Sequence, residues 1–407
     1  MKKDFFTYQA QTSKHPLALE IQSAKGSYVY STSGKAYLDF IAGVSANPLG
    51  HQPKAVTQAI TEQLNQYTHV MVYGEFIQEP QVALAKLLAK HLPDTLNTVY
   101  LTNSGTEATE GALKLAKRVT NRYEIIAAKN AYHGNSQGAM SVAGNETSKS
   151  AFRPLIPGSR FITFNDLDDI SKITSQTAAV ILETIQGGAG FILPEKGYLK
   201  AVKEQCKKVG ALLILDEIQS GIGRTGSLFE FKNQEVTPDI LITGKGLGGG
   251  MPIGAFISSG AYMSLLQEHP KLGHITTFGG HPVIAAAGLA TLTEIVSGSL
   301  MQDIARKEKR FRELLVHPLI QEIRGKGLML ALLVEDAEIA NRIILDSLEK
   351  GLLLFWLLFE EKAVRITPPL NISDDEIEKG CAILIEVMDT IFASCEYPQI
   401  LRKISNK

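Results

Sequence analysis

Between residues 98 and 258 the chain repeats one arrangement that few folds accommodate. A short run, apolar almost from end to end, stops abruptly at a cluster of glycine, hydroxyl or charged residues. The runs are 98–102 (TVYLT), 124–128 (EIIAA), 160–164, 178–183, 211–216 (ALLILD), 239–243 (DILIT) and 254–258 (GAFIS). Alternating apolar and polar residues mark a strand with one wet face, whereas a continuous apolar run marks a strand covered on both faces. Helix-length stretches, such as 106–118 and 196–209, lie between several of the runs. The pattern predicts an open α/β sheet, mostly parallel and covered by helices.

Beyond residue 297 the rhythm changes. A charged amphipathic helix at 301–315 precedes a strand within 323–335, a helix at 337–350, a strand at 363–367 and a long helix at 374–392. This reads as a smaller α+β unit. Near the N-terminus, GSYVYSTSGKAYLDF predicts a β-hairpin. The resulting division is 1–47, 48–296 and 297–407, and a length of 407 residues suits two lobes.

Charge and cysteine usage exclude several function classes. The 41 Lys and Arg against 42 Asp and Glu leave a net charge of -1, with no excess positive field for nucleic acid. The three cysteines, Cys206, Cys381 and Cys395, include no Cys-x-x-Cys pair. Neither a disulfide framework nor a cysteine zinc site is expected, and a reducing, cytoplasmic compartment fits. The start, MKKDFFTYQA, lacks the apolar segment of a signal peptide, and the longest apolar run, 352–359, is far below the ~20 residues of a membrane span. No H-E-x-x-H, G-x-S-x-G or clustered His/Cys set is present, so a metal site is not expected.

Ligands of open α/β sheets bind beyond the carboxyl ends of the strands, so the residues after each run carry the functional information. After TVYLT come Ser104, Gly105 and Thr106, leading into a helix whose free amides could cradle a phosphate; plain helix capping would use the same residue types. After EIIAA come Tyr132, His133, Gly134 and Asn135, an aromatic and an imidazole that could stack on a planar ligand or simply pack. ALLIL closes on Asp216, followed by Gln219; an acid there is either a structural cap or the partner of a buried cation. DILIT closes on Gly244, Lys245 and Gly246. A desolvated lysine loses its proton more readily and becomes nucleophilic.

Gly244, Gly246 and Gly249 formally match the dinucleotide fingerprint, but Pro252 and the strand-like GAFIS follow where that motif needs a helix. ALLILDE resembles the Asp-ending strand of a P-loop ATPase, yet its partner G-x-x-x-x-G-K-[ST] is absent. One ligand would use all four strand ends together: an aromatic aldehyde with a ring nitrogen and a phosphate. The lysine takes the aldehyde, the acid holds the ring nitrogen protonated, the aromatic stacks and the helix end holds the phosphate. That ligand is pyridoxal 5'-phosphate (PLP).

With those residues in place, the chain resembles the class III, fold-type I aminotransferases, the group that includes acetylornithine, ornithine and 4-aminobutyrate aminotransferases. The resemblance runs from GKAYLDF to RITPPL, and LDEIQSGIGRTG, NSGTEA and GKGLGGGMPIGA carry it most specifically. It implies a ping-pong transfer of an amino group, the ω-amine of an amino acid or related amine, to 2-oxoglutarate or pyruvate. It implies a small domain formed by the N-terminal segment with the C-terminal lobe, and a homodimer with shared active sites. By position it makes Lys245 the Schiff-base lysine and proton carrier, Asp216 the ring-nitrogen partner and Gln219 a neighbour of the ring hydroxyl. Ser104, Gly105 and Thr106 hold the phosphate, Tyr132 stacks, His133 joins the cofactor site, and Thr277 reaches the partner subunit's phosphate. On the substrate side it places Arg365, a carboxylate clamp suited to guanidinium geometry, with Glu183, Asn135, Val44 and Thr276.

Three positions depart from the family. Gly188 stands where a glutamate screens the arginine equivalent to Arg365, Asn135 replaces an arginine, and Val44 replaces the tyrosine of ornithine aminotransferase. The expectation is that Arg365 is permanently unscreened and takes the α-carboxylate of the keto acid. The same departures are compatible with ω-amino acid or amine:pyruvate transaminases, and an aminomutase or racemase on the same fold stays open. A silent scaffold relative would not need the intact Lys245 and Asp216.

Overall fold

The computed structural model describes residues 1–71 and 74–394; Cys395 and the end of the 297–407 segment lie outside them. The N-terminal hairpin is extended by one strand: β1 (Ile21–Lys25), β2 (Tyr28–Ser31) and β3 (Ala36–Asp39) form an antiparallel meander.

The central sheet contains β4 (Thr98–Thr102), β5 (Glu124–Ala128), β6 (Ser159–Ile162), β7 (Thr177–Glu183), β8 (Leu212–Asp216), β9 (Ile240–Gly244) and β10 (Gly254–Ser258). Their order is β4-β10-β9-β8-β7-β5-β6, and only β10 runs against its neighbours. Every residue of β7, β8, β9 and β10 is buried, which is why these runs are apolar without alternation. The seven predicted runs are the seven strands, with ends displaced by a residue or two.

The third sheet corrects one expectation. The stretch 323–335 holds two strands, β11 (Glu322–Lys326) and β12 (Met329–Leu333), joined by a tight turn. Gly327 adopts φ 62 there, and a Cβ on Gly325 would lie 1.9 Å from the Met329 carbonyl oxygen. Glycine's lack of a side chain permits both the turn and the contact. The apolar run 352–359 is likewise divided. Leu352–Leu353 (β13) joins β3 in parallel, while Phe355–Trp356 (β14) pairs with β15 (Ala363–Ile366), which in turn pairs with β12. A few residues therefore link the N-terminal meander to the third sheet.

The register sets the site. Because β4, β5, β7, β8 and β9 are mutually parallel in sense, their carboxyl ends share one edge. Glu183 and Asp216 are direct cross-strand partners at that edge, and Gly254 pairs with both Thr102 and Gly244. The helix Gly105–Thr120 leaves the same edge and lies on β10, where a Cβ on Gly111 would sit 2.3 Å from Phe256. That close approach seats the helix N-terminus over the strand ends.

Candidate active site

A cavity of about 630 Å³ opens at this edge. It is lined by Ser104, Gly105, Thr106, Tyr132, His133, Asn135, Glu183, Asp216, Gln219, Lys245, Val44 and Arg365, so twelve of the fourteen residues expected from sequence are gathered in one place. Thr276 and Thr277 are not among its walls. Their loop packs beside β4, where the Thr276 hydroxyl accepts the Gly279 amide at 2.8 Å. The resemblance assigned Thr277 to a partner subunit's site, and within one chain these two residues stay apart from the cavity.

Local backbone shape aims the reactive groups. Lys245 takes φ 39 at the end of β9, partly buried on the cavity wall. Burial pulls its ammonium below the usual lysine range, and Asp216 and Glu183 partly restore it. A left-handed backbone is costly for a side chain with a Cβ, and strain of this kind concentrates at functional positions. The same holds for Val44, which sits in a turn where Ala42, Gly43, Val44 and Ser45 all have positive φ. Asp39 holds that turn by accepting the Ile41 and Ala42 amides at 2.7 and 3.0 Å, and Thr367 braces it by donating to the Ile41 carbonyl.

Both oxygens of Asp216 are fixed. One accepts the Ile218 amide at 2.9 Å and the other lies 2.7 Å from His133 Nδ1. His133 Nε2 is buried without a partner among the described residues. Glu183 accepts the amides of Tyr132 (3.3 Å) and Gly187 (3.1 Å). Burial, opposed by His133 and reinforced by Asp216, pushes its carboxyl up to about 7.

Ser104 caps the helix by accepting the Glu107 amide at 3.3 Å, so the capping reading and the cradle reading apply to the same residue. Thr106 is held from below. Its hydroxyl meets Ser136 Oγ at 2.6 Å, and Ser136 donates to Glu110, which also accepts the Gly138 and Ala139 amides. Glu110 and Ser136 were missed in the sequence, although Glu110 lies one helical turn beyond Thr106 and so shares its face.

Arg365 is 4% exposed. Its Nε donates to the Trp356 carbonyl at 3.4 Å, its guanidinium lies 5.6 Å from the Phe191 ring centre, and Nη1 has no partner among the described residues. No carboxylate pairs with it among the described residues, and burial pulls it down to about 10. Position 188, where the resemblance expects a screening glutamate, is closed to a side chain. A Cβ on Gly188 would lie 2.9 Å from Phe359 Cδ2, and the Phe359 amide donates to the Gly188 carbonyl at 2.9 Å. The ring fills the space a side chain would need. Phe355, Trp356, Leu357 and Leu358 complete that wall; in sequence they registered only as an apolar run too short for a membrane.

An amine at a strand end, an acid fixed beside it, a stacking aromatic and a helix N-terminus within one cavity fit PLP. The positive end of the helix that begins at Gly105 suits a phosphate, and the pinned Asp216 suits a protonated ring nitrogen. The fold and this constellation define a fold-type I PLP-dependent transferase. The family description "Aminotransferase class-III" matches residues 8–388, and the chain belongs to that family. It is a PLP-dependent aminotransferase.

The acetylornithine aminotransferase of Caldanaerobacter subterraneus is 38% identical over 395 residues, covering 93% of this chain and 96% of that one. The acetylornithine aminotransferase of Corynebacterium efficiens is 39% identical, covering 91% and 92%. Among solved structures, the ornithine aminotransferase of Toxoplasma gondii, which holds PLP in its active site at partial occupancy, superposes with a TM-score of 0.87 at 31% identity, covering 95% and 94%.

Proposed function

We propose that the cavity transfers the ω-amine of an acetylornithine-, ornithine- or 4-aminobutyrate-like amino acid to 2-oxoglutarate or pyruvate by a ping-pong mechanism. The observation that carries substrate recognition is Arg365: a buried guanidinium with an unpartnered Nη1 and no paired carboxylate among the described residues is a receptor for a substrate carboxylate. Relatives named acetylornithine aminotransferase support an ω-amine donor.

When bound, PLP supplies a carbonyl that takes up the amine and a ring that withdraws electrons from the adjacent carbon. The protein's residues do the rest. Lys245 would hold the cofactor, and its Nζ would take and return a proton, a task suited to an amine whose pKa burial has lowered. Asp216, anchored by Ile218 and His133, fixes negative charge at the ring nitrogen. Tyr132 would cover the ring, Gln219 would serve its hydroxyl, and Ser104, Gly105 and Thr106 would hold the phosphate, all of them residues of the cavity wall. Arg365 orients the carboxylate. The closed position 188 favours a second reading, an ω-amino acid or amine:pyruvate transaminase, because Arg365 has no paired carboxylate among the described residues.

The reading extends to assembly. Residues 1–47 form one small domain with the 297–407 segment as far as residue 394, where its described part ends, a reading supported by the parallel pairing of β3 with β13. Two copies form a homodimer whose Thr276 and Thr277 serve the partner's cavity, in the cytoplasm, without nucleic acid or membrane; no single helix among the described residues is long and apolar enough to cross a bilayer.

A panel of donors mixed with the PLP-loaded protein tests the function directly. Conversion of the yellow aldehyde form to the colourless amine form by an ω-amino acid, and its loss in Lys245→Ala, is the expected result. Turnover retained by Lys245→Ala would end the assignment.

A further inference from the structure

Resting on the reading of this cavity as an aminotransferase site, we propose that His51 and Asp39 are positioning residues for the substrate: neither lines the cavity, and together they hold the strained 42–45 turn against the strand end that carries Arg365. The turn is costly. Ala42, Gly43, Val44 and Ser45 take φ 48, 60, 58 and 69 in succession. Three of the four carry a Cβ, and the left-handed region is least favourable to a β-branched residue such as Val44. Such backbone persists only where its surroundings over-determine it. What the turn delivers is Val44, a residue of the cavity wall. Its far side reaches the chemistry. A Cβ on Gly246, next to Lys245, would lie 3.4 Å from the Ser45 carbonyl oxygen, and Gln219 Nε2 lies 3.5 Å from Ser45 Oγ.

The restraint comes from two sides. On one side is Asp39, which is buried. One of its oxygens accepts the Ile41 and Ala42 amides at the entry of the turn, and the other lies 2.8 Å from His51 Nε2. An ionised carboxylate only accepts, so Nε2 donates. His51 is itself fixed, because its amide and carbonyl bond to Gly26 at 2.8 and 2.9 Å, between β1 and β2. The imidazole therefore sets the direction of the Asp39 carboxylate from a rigid point. On the other side is Thr367, two residues beyond Arg365. Its amide donates to the Phe40 carbonyl at 2.8 Å and its hydroxyl to the Ile41 carbonyl at 3.0 Å. The Leu370 amide continues the seam by donating to the Pro48 carbonyl at 2.7 Å. Turn and strand end are bonded as one unit, so the place of Val44 relative to Arg365 depends on the grip of Asp39. A displacement of about 1 Å is enough to spoil a bound geometry.

The test titrates the PLP-loaded protein with propionate and reads the fluorescence of Trp356, the one tryptophan of the sequence and part of the cavity wall. His51→Phe removes the donor, and Asp39→Asn weakens the hold on the turn. Each is expected to raise the propionate Kd and the keto-acid KM at least about tenfold, the loss of one hydrogen bond to a charged group, while PLP retention and kcat stay within about twofold. His51→Gln, which keeps a donor near the Nε2 position, should recover most of the loss. Ala42→Gly relieves one left-handed Cβ outside the cavity wall, so added to Asp39→Asn it should lower the raised Kd at least about threefold. A lowered Tm with an unchanged propionate Kd would show a purely structural role and overturn the proposal, as would an equal loss of PLP retention. Should Asp39→Asn not fold, the pair His51→Phe and His51→Gln decides by the same readout. Propionate binding without turnover of any donor overturns the aminotransferase reading, and the comparison of Kd values still decides the roles of His51 and Asp39.

Discussion

Lys245 is tuned by opposing effects that can be separated. Burial favours its neutral amine, while the negative charges of Asp216 and Glu183 favour the ammonium. Removing the Asp216 charge therefore lowers the lysine pKa further. The neutral amine is the form that captures the cofactor aldehyde, so in cofactor-free Asp216→Asn the rate of PLP uptake should reach half its maximum at a lower pH than in the unmodified protein. A midpoint displaced to higher pH would show that the acid does not act on Lys245 through charge. Glu183 gives a second handle. With its carboxyl raised to about 7 against an ordinary 4.5, the folded state holds a proton that the unfolded chain has released, so its contribution to stability is fully present below pH 4.5 and fades as pH rises through about 7. Glu183→Gln should flatten the fall in Tm across that window, measured without cofactor. The chemistry of these residues was legible because each stands where an apolar run ends. Their pKa values were not, since burial and charge neighbours are properties of the packed edge.

At the scale of elements, β10 is the tightest constraint on the phosphate cradle. A Cβ on Gly254 would lie 2.1 Å from the Ser104 carbonyl oxygen and 2.6 Å from its carbon. Backbone cannot yield as a flexible side chain can, so Gly254→Ala must push the 104–106 turn away from the strand ends. The expected result is a stability loss of about 1–3 kcal/mol and weaker PLP retention, read by denaturation and by dialysis of bound cofactor; wild-type retention would show that the turn accommodates the methyl. A second tie joins the cofactor loop to the sheet bearing Arg365. Arg224, buried eight residues beyond Asp216 and pulled down to about 9 by burial, donates to the carbonyls of Leu328 (3.1 Å) and Pro368. Those carbonyls flank β12 and β15, and Ala331 of β12 is the cross-strand partner of Arg365. Arg224→Met should raise the KM for keto acid more than it lowers PLP affinity, with partial rescue by Arg224→Lys; equal losses in both would mean a purely structural role. The strands themselves could be read from sequence because burial on both faces forces a continuous apolar run. The turn at Gly327 and the division of 352–359 between two sheets could not, because the same apolar letters suit either partner.

For the whole molecule, the loop bearing Thr276 and Thr277 adjoins a surface where Phe76, Ile77, Leu272, Ile275 and Phe278 are 55%, 96%, 46%, 47% and 52% exposed. If that face joins two copies, as the proposed homodimer requires, Ile77→Asp should shift the protein toward monomers in sedimentation and weaken PLP retention with it. A dimer of unchanged strength would place the contact elsewhere. The sequence by itself determined which residues meet at the carboxyl edge: a parallel sheet sends every strand end the same way, so the residue closing each apolar run must face one cleft, and Ser104, Tyr132, Asp216 and Lys245 follow from position alone. Only the tertiary structure decided what Arg365 faces. Phe359 over Gly188, the aromatic wall of Phe355 and Trp356, and the left-handed turn that turns Val44 into the cavity arise from segments far apart in the chain, and no local pattern of hydrophobicity or spacing encodes a contact between residues that folding alone brings together.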